Sequence, residues 1–135
     1  MERFVGKWCL SDVDFDKLKM LYVSKMGTPE AVLDDHKEQW MKTYMDVTEN
    51  GTHWTYGNVP GGDTTMMFDK ADQTCKLISN RGAQESTFEM KGDAEIFILN
   101  PQGLKITIKV TGQEMKVTQA LDDVSVDTVY TKSSE

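Results

Sequence analysis

The sequence predicts an all-β protein: a ten-stranded up-and-down β-barrel capped by a helix-turn-helix lid that follows the first strand. Three observations carry this expectation. Alternation of apolar and polar residues persists through the C-terminal two-thirds, turn residues punctuate it every few positions, and one N-terminal segment changes to helical spacing. Sequence-adjacent hairpins with no βαβ alternation favour a meander that closes or nearly closes on itself.

The first strand is expected from Phe4 to Leu10, and the acidic run from Asp12 to Asp16 is of the kind that opens a helix. Phe15, Leu18, Leu21 and Tyr22 then fall at helical spacing, and Met26-Gly27 supplies a stop. Thr28-Pro29-Glu30 reads as an N-cap, a proline at the first helical position and an acidic first turn, starting a second short helix through Val32 and Leu33 to about Asp35. The lid therefore spans roughly residues 14–35. Nine further strands follow, over 39–48, 52–57, 64–69, 75–80, 86–91, 94–99, 104–110, 115–121 and 125–132. Asn50-Gly51, between the first two of them, is the strongest short hairpin signal in the chain. A barrel of this strand number can enclose a ligand-sized interior.

Composition narrows the function classes. At 135 residues the chain supports one core, so residues 1–135 are expected to form a single domain. Asp+Glu 22 against Lys+Arg 15 gives a net charge of −7, and with no basic cluster a nucleic-acid partner is not expected. No apolar run is long enough for a membrane helix. Cys9 and Cys75 have no zinc-like spacing and read as reduced, mostly buried thiols; no metal or cofactor is implied. The residues after Met1 contain no apolar leader, so a cytoplasmic location is expected, and the chain reads as a monomer.

The opening Phe4-Val5-Gly6-Lys7-Trp8-x-Leu10, followed by Asp14-Phe15-Asp16-Lys17-Leu18, resembles the signature of the intracellular fatty-acid-binding and retinoid-binding protein family. The helical hairpin after the first strand, the Glu49-Asn50-Gly51 turn and the closing Val129-Tyr130-Thr131-Lys132 extend the resemblance in order along the chain. It departs between Trp8 and Phe15, a span that looks one residue short, and in the loops after the fourth strand. What the resemblance implies is a β-clam of two near-orthogonal sheets holding one lipophilic ligand, non-covalently, beneath the lid.

In fatty-acid-binding members a carboxylate is held by interior arginines and a tyrosine on the last strand. Tyr130 matches the tyrosine. The arginine two residues earlier falls on Thr128, and the other falls near Ile106 to Ile108; the chain has only Arg3 and Arg81. A buried carboxylate without a partner is costly, so a neutral head group is expected. Strand alternation sets Gln119 beside Met115 and Val117 on the apolar face and aligns Thr128 with Tyr130. Gln119, Thr128 and Tyr130 are the expected head-group residues, contacting either ligand or trapped water. The family's portal maps onto Phe15, Leu18, Val32 and Val59, with Met41, Ile106, Ile108, Met115 and Val117 lining the cavity. Lys17, Lys19 and Lys25 are offset by Glu30, Asp34, Asp35 and Glu38, so docking on anionic membranes is expected to be weak or absent.

Neither His36 nor His53 forms a recognisable catalytic or metal arrangement, and no enzymatic activity is expected. The readings left open are a carrier with a neutral-headed ligand, a fatty-acid carrier binding its carboxylate through water, a secreted lipocalin-like carrier, and an enzyme recruited from the same barrel.

Overall fold

A computed structural model describes residues 2–25, 27–59, 62–79 and 82–133. The expected helix stop at Met26, the turn residues Pro60, Gly61 and Asn80, and Arg81 lie outside them. Among the described residues ten antiparallel strands run β1 (Gly6–Val13), β2 (Tyr44–Thr48), β3 (His53–Gly57), β4 (Thr64–Asp69), β5 (Thr74–Ser79), β6 (Gly82–Met90), β7 (Glu95–Leu99), β8 (Lys105–Thr111), β9 (Glu114–Leu121) and β10 (Val124–Lys132). Each pairs with its sequence neighbours, and β1 pairs with β10 to close the barrel.

The lid lies between β1 and β2: α1 (Phe15–Lys19), a π-helical turn (Met20–Lys25), α2 (Glu30–Asp34) and α3 (Lys37–Trp40). Asp14 caps α1 by accepting the Lys17 N–H at 3.2 Å. Pro29, expected as the first residue of α2, flanks it instead.

Three expected boundaries are corrected, the first at β6, which begins at Gly82 in register with β5 and not at Ser86. Phe4 is not in the first strand; Glu2–Phe4 form a 3-10 turn that drives the Phe4 ring into the core, and β1 runs on to Val13 through a bulge at Ser11. The bulge lets both Leu10 and Val13, three residues apart, pack on the interior clusters. The second strand does not begin at Gln39, because Lys37–Trp40 is helical. The Trp40 indole N–H donates to the Val32 carbonyl at 3.1 Å and its ring meets Tyr22 edge-on, so contacts across the lid override the local alternation. The Glu49-Asn50-Gly51 hairpin forms with all three residues left-handed, at φ 53, 58 and 96°.

One end of the barrel is plugged by aromatic rings. Phe4, Trp54, Phe68 and Phe88 contact in series, with centroids 5.6, 5.6 and 4.9 Å apart. Trp8 joins them; its indole N–H donates to the Phe4 carbonyl and that of Trp54 to the Gly51 carbonyl, so neither polar group is orphaned. At the other end Leu18 and Leu21 of the lid pack on Leu104, Val124 and Val126. Lys25 ties the same end of the lid to Asp123 on the β9–β10 turn at 3.0 Å.

Candidate functional site

Between the aromatic plug and the lid, inward residues of three adjacent strands form rows. Ile106, Gln119 and Val126 make one row, Ile108, Val117 and Thr128 the next, and Val110, Met115 and Tyr130 the third. Gln119, Thr128 and Tyr130 therefore share the inner face, as the alternation predicts. They do not form one compact cluster: Gln119 and Tyr130 are two rows apart, roughly 13 Å along the strands.

Each end of this line has a protein partner that the sequence reading missed. The Tyr22 hydroxyl, from the lid, donates to Gln119 Oε1 at 3.3 Å. Tyr130 pairs with the side chain of Thr43, whose own hydroxyl donates to the Trp40 carbonyl at 2.9 Å. Tyr56 on β3 packs against the interior cluster from the opposite wall. Burial is the main force pushing the Tyr22, Tyr56 and Tyr130 phenols above their ordinary range. Tyr56 is raised further by Tyr130, Cys75 and Tyr22, and Tyr130 by Tyr22, so these groups lie close enough to feel one another. Three phenols and a thiol thus lie within electrostatic reach of one another, and Tyr22 links them to the Gln119 amide.

Hydrogen-bonding capacity is left over. Among the described residues, the Tyr56 hydroxyl, the Thr128 hydroxyl and the Gln119 amide nitrogen have no protein partner, yet no fully buried side-chain polar atom is unsatisfied. These atoms therefore retain accessible surface while their side chains belong to the inner face. A polar group or water can therefore reach them.

No described cation reaches it. Arg3 is exposed and paired with Asp93 at 3.3 Å. Lys132 lies one row beyond Tyr130, but its ammonium sits 5.5 Å over the Trp8 ring and its stem crosses Gly6, toward the plugged end.

The remaining expected residues scatter. Ile108, Met115 and Val117 are buried, and Ile106 is half-buried where the two interior clusters meet. Leu18 is buried and Phe15 half-buried beneath the lid, and Val32 and Val59 are half-buried on α2 and on the turn after β3. Met41 is 38% exposed on the turn after α3. Cys75 is buried as expected, but Cys9 is exposed because it points outward from β1. No group of three or more metal-ligating side chains occurs among the described residues. Two clefts, of about 370 Å³ beside Ser86 and Asn100 and about 300 Å³ on the outer face of the lid, lie outside the barrel and share no residue with this cluster.

Tyr22 is legible as a helix-face residue, but nothing local marks it as polar lining. Thr43 gave no signal, because its role depends on where α3 ends.

A ten-stranded antiparallel barrel with a helical lid after the first strand and a partly polar interior is the fold of the fatty-acid-binding proteins. A Schistosoma mansoni fatty acid binding protein in complex with arachidonic acid superposes with a TM-score of 0.69 at 21% identity, over 99% of this chain and 98% of that one. Apo lipid binding protein 8 of Caenorhabditis elegans gives 0.72 at 11% identity, over 98% and 97%. A secretory abundant heat soluble protein of Ramazzottius varieornatus gives 0.62 at 19% identity, over 97% and 96%. No protein-family profile and no curated protein matches the chain in sequence.

Proposed function

We propose that the chain is a divergent member of the intracellular lipid-binding family and a non-covalent carrier of a hydrophobic small molecule with a neutral head group. The carrying observation is that Tyr22, Tyr56, Tyr130, Gln119 and Thr128 line an interior that no described arginine or lysine enters. Such lining solvates a carbonyl or hydroxyl; it gives an ionised carboxylate hydrogen bonds but no countercharge. Retinoid-like, sterol-like and ester ligands fit this description. The three solved proteins above include two named for fatty acids or lipids, which supports a lipophilic cargo.

Native mass spectrometry of protein purified from its source, followed by organic extraction, identifies the cargo. With synthetic probes, the methyl ester of a long-chain acid is expected to bind more tightly at pH 8 than the free acid of the same chain. A free acid that binds at least as well at pH 8 would overturn the neutral-head assignment. Tyr56→Phe combined with Gln119→Leu is expected to weaken the ester about tenfold or more, each neutral hydrogen bond being worth about 1 kcal/mol. An unchanged affinity would move the head group elsewhere in the barrel.

A fatty acid bound in its protonated form is the second reading, favoured by the arachidonic acid named with the Schistosoma protein. It requires acid binding to strengthen as pH falls from 8 to 5, because the neutral interior favours the form that carries no charge.

The carrier is further proposed to act as a cytoplasmic monomer that exchanges ligand through solution. Lys19 is held by Glu30 and Asp34, both at 2.9 Å, and Lys25 by Asp123, which leaves little positive field on the lid. Ligand transfer to vesicles is expected to be insensitive to anionic lipid content; a rate that climbs steeply with phosphatidylserine would refute it. No helix among the described residues is long and apolar enough to cross a membrane.

A further inference from the structure

The wall between β6 and β7 is paired along only part of its length. Their register runs from Thr87↔Leu99 to Met90↔Ile96, whereas β6 continues back to Gly82 with β5 as its partner. Carried on, the register would set Ser86 opposite Asn100 and Glu85 opposite Pro101. Two features of the sequence turn β7 away at that point. Pro101 has no N–H to offer the Glu85 carbonyl. Asn100 is committed to the turn that follows: its backbone N–H donates to the Leu104 carbonyl at 3.0 Å, and its Oδ1 accepts the N–H groups of Gln102 and Leu104 at 3.0 and 2.8 Å.

The stretch of β6 left behind is an open margin. The Phe88 N–H donates to the Gln73 carbonyl at 3.0 Å, on the β5 side. Alternation along the strand then turns the N–H and C=O groups of Glu85 and Ala83 the other way, toward the gap. Among the described residues these groups have no partner. A cleft of about 370 Å³ occupies the gap, with Glu85, Ser86, Leu99, Asn100 and Pro101 on its lining. Ser86 and Asn100 are each 8% exposed, yet the Ser86 hydroxyl and Asn100 Nδ2 have no protein partner among the described residues. The orientation of the Asn100 amide is fixed, because a backbone N–H can only donate and both of its bonds go to Oδ1. Leu99, 40% exposed, supplies an apolar rim.

We propose that this gap is a strand-addition site: a short extended peptide segment of a partner protein, free of acidic side chains, pairs with Ala83 and Glu85 in the place that β7 vacates. N–H and C=O groups repeating every second residue along one margin are complemented by the backbone of another strand. Ser86 and Asn100 add a hydroxyl and two amide hydrogens, and Leu99 offers contact to a side chain of the added segment. Glu85 is the charged residue on the lining and the chain carries −7 overall, so an acidic segment is disfavoured. The site lies apart from the cargo residues and does not depend on the carrier reading.

Hydrogen exchange of the unaltered protein, followed by NMR, is the first arm of the test. The Ala83 and Glu85 amides are expected to exchange fast, while those of Gln84 and Ser86, paired with Leu77 and Cys75, exchange slowly. Slow exchange at Ala83 and Glu85 in dilute protein would show the margin already covered and overturn the proposal. Slowing that sets in only as protein concentration rises would make a second copy the occupant and overturn it too. The second arm adds the uncharged peptide acetyl-Thr-Val-Thr-Val-Thr-amide. It is expected to slow exchange at Ala83 and Glu85 and to shift the Asn100 side-chain amide signals; no binding would overturn the proposal. The same peptide methylated on every amide nitrogen is expected not to bind, and equal binding would make the cleft a small-molecule pocket instead. A counterpart with Glu in place of each Thr is expected to bind more weakly; equal binding would overturn the assignment of the partner. Glu85→Pro removes an N–H that faces the gap and leaves the β5 side paired, a position where proline is tolerated. It is expected to weaken the uncharged peptide about tenfold or more and to leave cargo affinity unchanged. An unchanged peptide affinity would overturn the proposal, and if Glu85→Pro does not fold, the exchange and methylated-peptide arms decide it.

Discussion

Trp54→Ala is expected to lower the free energy of unfolding by about 3–5 kcal/mol, the range for deleting a large buried aromatic side chain. Trp54 is 0% exposed, contacts Phe4 on one side and Phe68 on the other, and spends its indole N–H on the Gly51 carbonyl. The truncation removes a link from the chain of rings that plugs the barrel and leaves a void that β-strands on every side cannot collapse into. Trp54→Phe keeps most of the ring contact and should cost less, about half as much. Urea unfolding of the three proteins at pH 7 measures both differences. A loss below about 1 kcal/mol for the alanine variant would mean that the plug is not a principal source of stability.

The second large effect appears at alkaline pH. Burial pushes the Cys75 thiol up to about 12, whereas an unfolded thiol ionises near 8.5. Below the unfolded value both states keep the proton and Cys75 contributes nothing to the pH dependence. Between the two values the unfolded chain has released a proton that the folded chain retains, so stability falls by about 1.4 kcal/mol per pH unit. By pH 10 the accumulated loss from Cys75 alone is about 2 kcal/mol. Tyr22, Tyr56 and Tyr130 are raised in the same sense and extend the decline to higher pH. Cys75→Ala removes only the thiol's share. Its unfolding free energy should drop less than that of the unaltered protein between pH 7 and pH 10, by the same 2 kcal/mol. Parallel declines would place the thiol in a polar setting and remove it from the interior group of phenols.

Much of this barrel could be read from residues alone because each hairpin carries its own turn chemistry and a two-residue alternation. Thr64–Asp69 was placed to the residue, and six other strands to within about one at either end. The failures share a cause. Phe4, Trp40 and the first half of β6 are decided by partners far away in sequence: the plug, the lid and the neighbouring strand β5. Local pattern does not contain those partners.

The site follows the same division. Alternation was enough to bring Gln119, Thr128 and Tyr130 to one face, since the pleat alone determines it. Their separation into two ends, and the pairing of each end with Tyr22 or Thr43, depends on how the lid sits across the barrel. The lack of any arginine on β8 and β10, by contrast, is visible in the sequence at once. A missing residue type needs no geometry to be recognised.

The pairing of β1 with β10 has a consequence for how such a protein is made. Trp8 faces Lys132 and Leu10 faces Tyr130, so the wall is completed by the first and the last strand of the chain. Until β10 docks, β1 and β9 are raw edges and there is no enclosed volume at all. A chain that stops short of β10 therefore encloses nothing and keeps two unpaired margins, at which neighbouring chains can pair.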